Sequence, residues 1–357
     1  MLAVTVTFAA ALIACSGEGE DRPGSVEVIG GEGSVSVSGA VEGYGEQLYF
    51  PASDQSLNLA IGADLQDMRS LMSAAARGDA VDWAAVTALY EGGKNQKRAD
   101  GSVRSTASLA KDGPAGFAGA QAGLADGVIR AGLAGSGRGA GVSDNARRQL
   151  VDKGIQDLMY TLALERLSAA EKAFASGSTV TVTNIDEAWA TLSGARDATT
   201  GSPNSGLLAT GISREEDFGF QGRLSRPLES ALLATAAAAE RKDSAAFQRE
   251  LANSRGYLNT IMYLSVLRYG PTLESDERAS DREFHLAEGW AYWKGLEPVV
   301  RPATGGGANA IEEAYTRPPE EEFPRSETDQ IFGAMNDPTV LSTLNVPTEF
   351  RVRAPKP

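Results

Sequence analysis

Apolar residues recur at steps of three and four positions through most of the chain after residue 53. In the first such segment the apolar positions are Leu57, Ile61, Leu65, Met68 and Met72. This spacing gathers them on one face of an α-helix, and Gly78 is a residue type that commonly ends one. The pattern therefore predicts an amphipathic helix in this part of the chain.

The signals for helix starts and stops predict helices of two lengths. Asp82 is suited to cap a short helix that ends before Gly92. Ser143 is suited to cap a long helix that ends near Gly177. A long helix followed by a short one therefore recurs along the chain.

Further helices are expected at about residues 116–133, 184–194, 220–241, 247–269 and 284–296. Proline interrupts a helix, so Pro271 and Pro298 are expected to close the last two. A loop rich in glycine, serine and proline is expected between residues 194 and 220. One strand is conceivable around residues 34–41, but no strand pattern of comparable length competes with the helices. The predicted fold class is therefore all-α.

A ten-residue pattern occurs twice in the chain, about 100 positions apart. Residues 185–194 and 286–295 match at Glu187 and Glu288, Trp189 and Trp290, Ala190 and Ala291, and Gly194 and Gly295. Self-similarity at a near-constant spacing is typical of a duplicated structural unit. We therefore predict a helical bundle of two similar halves, residues 53–182 and 183–300, with an irregular tail at residues 301–357.

The charge balance narrows the choice of partners. The chain has 33 basic and 47 acidic residues, for a net charge of −14. Such a field repels nucleic acid and anionic lipid and raises the local concentration of cations. We expect no nucleic-acid partner, although any soluble acidic protein has a comparable charge.

The start of the chain resembles a bacterial lipoprotein signal. Residues 1–14 form an apolar run too short to span a bilayer, and Cys15, the only cysteine, follows it. The signal departs from its usual form because no Lys or Arg precedes the apolar run; a chance cysteine in an ordinary signal peptide is the alternative. The resemblance implies lipidation of Cys15, a flexible tether at residues 15–52, and a membrane-anchored protein facing the periplasm or the exterior.

Glu288 and His285 are the first candidates for metal-binding residues. Both faces of the helix that carries Glu288 are largely apolar, so we expect this carboxylate to be buried. A buried carboxylate costs several kcal/mol unless it is paired, protonated or bound to a cation. His285, the only histidine, lies one helical turn away on the same side. Such nitrogen and oxygen donors suit iron, manganese or zinc.

Four further residues extend this hypothesis to other helices. Glu187 occupies the position of Glu288 in the other half, and Glu91 is one of two acids in the earliest short helix. Tyr160 and Tyr263 also correspond across the two halves and offer phenolic oxygens for ferric iron. We expect carboxylates from two or three short helices to converge on a metal between the halves. The alternative is that His285 and Glu288 satisfy each other or a neighbouring arginine, that the acids are held by arginines with no room for an ion, and that the tyrosines are core residues.

An enzyme is not expected. With one histidine in the chain, a Ser-His-Asp arrangement is improbable, and no nucleophile, base and orienting group occur together. The glycine-rich residues 132–141 follow no strand and lack the Gly-Lys-Ser ending of a phosphate-binding loop.

Three short segments resemble the iron-assimilating, low-iron-inducible periplasmic proteins of algae and bacteria. These segments are residues 89–95, 186–190 and 288–293, and the resemblance covers about residues 53–300. It implies an extracytoplasmic helical protein that captures or delivers iron, with Glu91, Glu187 and Glu288 as ligands. Residues 283–288 are also similar to the Gly-x-His-x-x-Glu motif of imelysin-like iron-uptake proteins, although Glu283 stands at the glycine position.

Together these patterns predict an envelope lipoprotein that binds Fe²⁺, Fe³⁺ or another divalent metal for uptake, with an envelope metal transporter as its partner. The alternative is a helical repeat scaffold, or a partner-binding protein of the envelope, that holds no metal.

Overall fold

A computed structural model describes residues 47–111, 117–196 and 202–355; for residues 117–122 it describes the backbone only. Cys15, the predicted signal segment and strand, and the tether as far as residue 46 lie outside the described residues.

The described residues form thirteen α-helices and no strand, which confirms the all-α class. In chain order the helices are α1 Ser56–Met72, α2 Trp83–Gly92, α3 Thr106–Lys111, α4 Phe117–Ala134, α5 Asp144–Ala175, α6 Thr181–Ser193, α7 Leu207–Phe218, α8 Ser225–Glu240, α9 Ser244–Ser275, α10 Ala279–Val300, α11 Gly305–Tyr315, α12 Arg325–Met335 and α13 Pro338–Leu344.

The predicted helix caps are confirmed. The side chain of Asp82 accepts a hydrogen bond from the Ala85 amide at the start of α2. Ser143 does the same for the Ala146 amide at the start of α5. Gly78 ends the short 3₁₀ turn after α1 with a φ of 76°, a conformation that glycine adopts without a Cβ clash.

The loop predicted between residues 194 and 220 instead contains α7. Leu207, Leu208 and Phe218 of this helix are buried, so packing orders a segment whose composition favours turns. The next helix, α8, starts at Ser225 and not at 220. The buried carboxylate of Glu215 accepts the backbone amides of Gly222, Leu224 and Ser225, and so fixes the turn before α8.

Two prolines do not end their helices as predicted. Pro271 lies inside α9, which continues to Ser275, and Pro298 lies inside α10, which continues to Val300. The turns after these prolines are held by burial of Leu273 and Val300. Tertiary packing therefore outweighs the lost backbone hydrogen bond and the strain at each proline.

The tail predicted to be irregular contains α11, α12 and α13, so that expectation was wrong. Many of its large apolar side chains are buried, among them Tyr315, Ile331, Phe332, Met335, Val340, Leu344 and Phe350. The local signals oppose a helix here, because α11 begins with three glycines and two prolines follow it. The segment is helical because it completes the core around α9 and α10.

Helices α5 and α9 are the centre of the fold. Each has 32 residues and is followed by a helix that carries one copy of the repeated motif. Helix α5 packs against α4, α6 and α10, and α9 packs against α8, α10 and α12. Helix α10 therefore joins the two long helices. The internal duplication itself stays a prediction.

The last residues of the predicted tether are fixed to the helices. Tyr49 is buried and donates to Asp186 Oδ1 at 2.7 Å, and Ser53 donates its backbone amide and hydroxyl to Asp186 Oδ2. Leu48 donates its amide to Glu229 of α8. The flexible segment therefore cannot extend to residue 52 as predicted.

None of the described helices combines the length and the apolar character needed to cross a bilayer.

Candidate functional site

Glu288 lies on α10 and is fully buried, so its carboxylate needs a partner inside the protein. Lys153 of α5 supplies one, with Nζ 3.0 Å from Glu288 Oε1. Gln149, with its amide nitrogen facing the carboxylate, donates to the same oxygen at 2.8 Å. In contrast, Glu288 Oε2 is buried and has no hydrogen-bond partner among the described residues. One carboxylate oxygen is compensated by a lysine, and the other makes no hydrogen bond among the described residues.

His285 lies one turn before Glu288 and is oriented by Asp276. His285 Nδ1 is 2.8 Å from Asp276 Oδ2. Burial alone would lower the pKa of His285, but the hydrogen bond to Asp276 and the charge of Glu288 outweigh it and raise the pKa above its ordinary value. A carboxylate behind the ring is the arrangement that orients many metal-binding histidines. With Nδ1–H donating to Asp276, a neutral His285 carries its lone pair on Nε2.

Lys153 belongs to a row of alternating charges between α1, α5 and α10. Arg69 contacts Asp152 Oδ1 at 2.7 Å, and Lys153 lies 3.7 Å from Asp152 Oδ2. Burial alone would lower the pKa of Lys153, but Glu288 is the largest of several influences that hold it well above its ordinary value. Burial raises the pKa of Asp152, but Arg69 and Lys153 more than reverse that effect. The row therefore keeps Lys153 charged beside Glu288.

Tyr269 of α9 lies at the centre of the surrounding aromatic and charged groups. Its ring stacks on Tyr292 with centroids 6.1 Å apart, and the His285 ring lies at the same distance. The guanidinium of Arg268 lies 5.0 Å from the Tyr269 ring centroid, and that of Arg214 of α7 lies at 6.0 Å. Helices α5, α7, α9 and α10 therefore all contribute to this buried polar cluster.

Asp157, one turn after Lys153 on α5, is buried without a partner. Neither of its carboxylate oxygens makes a hydrogen bond in the described part of the chain. Burial alone raises the pKa of Asp157 well above its ordinary value. Gly295 of α10 packs directly on it, since a Cβ at that glycine would lie 2.5 Å from Asp157 Oδ1. Burial therefore favours the neutral acid form of Asp157 over its charged carboxylate.

The two acids that were predicted as metal ligands on other helices form ion pairs with arginines. Glu187 Oε2 lies 3.0 Å from Arg166 Nε, and its side chain is 25% exposed. Glu91 Oε1 lies 2.9 Å from Arg130 Nη1, and its side chain is 53% exposed. Both positions agree with the alternative of arginine pairing.

The two predicted tyrosines are core residues with protein partners. Tyr160 donates to Asn259 Oδ1, and Tyr263 donates to Asn336 Oδ1, each at 2.9 Å. Burial raises the pKa of both hydroxyls, which makes loss of their protons to a metal more costly.

The predicted convergence of carboxylates from two or three short helices on one metal is not seen in residues 47–111, 117–196 and 202–355. No group of three His, Cys, Asp or Glu residues within these ranges has a geometry that could hold a metal ion. The structure does bring His285 together with Glu288. Any metal there would receive one imidazole nitrogen and one carboxylate oxygen from the protein.

Lys153, Arg214, Tyr269, Asp276 and Asp157 were not predicted from the sequence. Helix α5 is buried on nearly all sides, although its polar positions suggest an exposed face. A polar residue on a fully buried helix indicates a buried polar network, but the sequence alone does not show that the whole helix is buried. Arg214 could not be predicted for a further reason: it lies on α7, a helix that the sequence pattern did not predict.

Comparison with known proteins assigns no family to this chain. No family model, curated protein or solved structure matches the chain. The resemblance to iron-assimilating and imelysin-like proteins therefore stays a prediction from short motifs.

Proposed function

We propose that the protein binds iron, or a similar divalent transition-metal cation, through His285 and Glu288, and that it does so at the cell envelope for metal uptake. The observation that carries this proposal is the unpartnered Oε2 of Glu288, fully buried one helical turn from the only histidine. A buried carboxylate oxygen without a donor is destabilising, and a cation would satisfy it.

The orientation of His285 supports the same proposal. Asp276 holds Nδ1 and directs the lone pair of neutral His285 to Nε2, as in metal sites with an outer carboxylate. The two ligands are a nitrogen and an oxygen, which suit Fe²⁺, Mn²⁺ or Zn²⁺. Water or chelate oxygens would have to supply the remaining positions.

The envelope location rests on the apolar run before Cys15, which lies outside the described residues. The transporter partner is likewise proposed from the resemblance and not from a surface of the structure. Both parts of the proposal are independent of the metal ligands and can fail separately.

An anaerobic titration of ferrous ion tests the metal site, with affinity measured calorimetrically. The variants are His285→Ala and Glu288→Gln, and the matched controls are Glu91→Gln and Glu187→Gln. We expect weaker binding by at least tenfold in the first pair and no change in the controls, since removal of a ligand or of its charge weakens metal binding. Circular dichroism confirms that each variant is folded. Equal affinity in His285→Ala and the unmodified protein contradicts the proposal.

A second candidate is a helical scaffold or partner-binding protein of the envelope without metal. The contact of Lys153 with Glu288 favours it, because the protein itself supplies a cation beside this carboxylate. Metal-free protein after purification without chelators, together with a melting temperature unaffected by ferrous ion, would support the scaffold.

A further inference from the structure

Helices α5 and α10 lie side by side in the same direction, with their residues paired in chain order. The contacting pairs are Lys153 with Glu288, Gln156 with Tyr292, and Asp157 with Gly295. The residue numbers on the two helices increase together along this contact. One step along α5 from Lys153 to Asp157 therefore leads away from Glu288 and toward Gly295 of α10.

Asp157 is a buried hydrogen-bond acceptor without a donor. It is 1% exposed, and neither of its carboxylate oxygens makes a hydrogen bond in the described part of the chain. The carboxylate fits against α10 because Gly295 has no side chain, since a Cβ there would lie 2.5 Å from Asp157 Oδ1. Buried polar groups without partners are rare in native proteins, and each needs an explanation. A partner that arrives in another state of the protein is one explanation.

Lys153 is within reach of Asp157. The two residues are four positions apart on α5, a spacing that places their Cβ atoms about 5–6 Å apart on one face of the helix. The lysine stem is flexible, so the ammonium has more than one acceptor within range of the same backbone position. Tyr292 stands between Glu288 and Gly295 on α10, and its ring centroid is 5.9 Å from Lys153 Nζ. An aromatic face stabilises a cation, and this ring lies beside the route between the two carboxylates.

The charge of Glu288 holds Lys153 in its present position. If a proton or a bound cation neutralised Glu288, Lys153 would be left as a buried ammonium without an adequate partner, which is strongly destabilising. Asp152 does not replace Glu288, because its Oδ1 is bonded to Arg69 at 2.7 Å and its Oδ2 lies 3.7 Å from Lys153. An ionised Asp157 would restore a close ion pair.

We infer that Asp157 is a second acceptor for Lys153. When the charge of Glu288 is neutralised, the Lys153 ammonium moves one helical turn along α5 to Asp157, and Asp157 releases its proton to water. A buried ion pair at Glu288 is thereby replaced by a buried ion pair at Asp157. If the neutralising group is a divalent metal, one proton leaves the cluster as the metal enters. That link to metal binding rests on the proposed function, whereas the exchange of partners does not.

The other surroundings of Asp157 supply no competing charge. Met262 of α9 and Gly295 of α10 meet at its carboxylate, and neither carries a charge. Burial is the one cause of the raised pKa of Asp157, so no cation compensates it in the present state. Tyr160, one turn further along α5, is a titratable neighbour, and the charge of Asp157 raises the pKa of its hydroxyl. Lys153 is therefore the cation whose movement would change the protonation of Asp157.

Infrared spectroscopy of the metal-free protein tests the inference, because a protonated carboxylic acid has a carbonyl stretch distinct from that of a carboxylate. The band that disappears in Asp157→Asn belongs to Asp157, and its intensity against pH gives the pKa of this acid. Glu288→Gln and Glu288→Met both remove the charge at position 288 and keep the side-chain length, so one can replace the other if it does not fold. Lys153→Met combined with Glu288→Gln removes the ammonium as well. Glu187→Gln is the matched control, at an acid paired with Arg166.

We expect the pKa of Asp157 to fall in Glu288→Gln, with proton binding roughly tenfold weaker or more, because an opposite charge a few ångströms away favours the carboxylate. The double variant with Lys153→Met should keep the pKa of the unmodified protein, since no ammonium is left to move. Glu187→Gln should keep it too. An unchanged pKa in Glu288→Gln, or an equal fall in the double variant, overturns the inference. An ordinary pKa of Asp157 in the unmodified protein also overturns it.

Urea unfolding at neutral pH provides a second readout. In the unmodified protein, Asp157→Asn should leave the free energy of unfolding unchanged or raise it, because it removes an unpaired buried acid. In the Glu288→Gln background the same substitution should lower it, because Lys153 loses its second acceptor. Equal effects of Asp157→Asn in the two backgrounds contradict the exchange.

A ferrous titration in weakly buffered solution separates this inference from the proposed function. Iron binding should release more protons from the unmodified protein than from Asp157→Asn. A lower pKa of Asp157 in Glu288→Gln, together with no iron binding, supports the exchange and contradicts the metal site. Iron binding that needs His285 and Glu288, together with an unchanged pKa of Asp157, has the opposite meaning.

Discussion

Lys153 Nζ lies 3.0 Å from Glu288 Oε1, at a contact between the first third of α5 and the middle of α10. Glu288 is fully buried, so water does not solvate its carboxylate, and the charge of Lys153 stabilises it instead. The same ammonium opposes any metal that approaches the carboxylate. Lys153 therefore stabilises the fold but would weaken the proposed metal binding.

Lys153→Met is expected to destabilise the protein by on the order of 3 kcal/mol, because it leaves the Glu288 charge buried without its partner. Urea unfolding at neutral pH measures this loss. The double variant Lys153→Met with Glu288→Gln should recover most of it. If the metal site is real, ferrous ion should stabilise Lys153→Met more than it stabilises the unmodified protein. Equal stability of Lys153→Met and the unmodified protein would show that the contact contributes nothing.

Asp157→Asn should change how stability depends on pH. Burial raises the pKa of Asp157 in the folded state, whereas the unfolded chain releases the same proton at an ordinary pKa. Above the unfolded pKa the folded state therefore binds the extra proton, and rising pH destabilises it by up to about 1.4 kcal/mol per pH unit. The substitution removes this contribution. Urea unfolding between weakly acidic and neutral pH measures this effect. The free energy of unfolding of the variant should increase relative to that of the unmodified protein as pH rises. A difference between the two that stays constant with pH would contradict the prediction.

Gly295→Ala is expected to destabilise the protein by about 1–3 kcal/mol through overpacking. A Cβ at this position would lie 2.5 Å from Asp157 Oδ1 and 2.9 Å from Met262 Cε. Gly127 in α4 is the matched control, since nothing lies within 4 Å of its Cβ position. There the same substitution should stabilise by about 0.5–1 kcal/mol through helix propensity. Thermal unfolding of both variants checks the two signs, and a stabilising Gly295→Ala would contradict the packing described.

Glu312→Ala should loosen the contact between α10 and the C-terminal helices. The carboxylate accepts the indole N–H of Trp290 at 3.0 Å and of Trp293 at 2.7 Å. Its removal leaves both donors without this acceptor, at a cost of about 1–2 kcal/mol. Tryptophan fluorescence should shift to longer wavelength as water reaches the rings. Glu320→Ala, at an exposed acid on the same segment, serves as the control and should change neither quantity.

The sequence predicts most of the helices because their signals are local. Asp82 and Ser143 cap helices through side-chain contacts three residues away, and such contacts are visible in the pattern of residues. Helix α11 and the last turn of α9 escaped prediction, since their glycines and Pro271 oppose a helix locally. Only packing against distant segments makes those turns helical.

The candidate site was predictable only in part, and for the same physical reason. His285 and Glu288 share one helix, so their proximity follows from spacing. The lysine that contacts Glu288 lies on α5, 135 positions earlier in the chain, and no periodicity connects the two. Glu187 shows the limit of the repeat argument, because its place in the motif matches that of Glu288 while its partner is the half-exposed Arg166.

The packing of the central helix α9 depends on residues that are synthesised much later. Asn259 donates to the Leu344 carbonyl, 85 positions on, and Tyr263 donates to Asn336, 73 positions on. During synthesis, α9 therefore leaves the ribosome well before the segment that covers one of its faces. Until that segment arrives, the nascent chain presents an apolar surface of the kind that chaperones recognise.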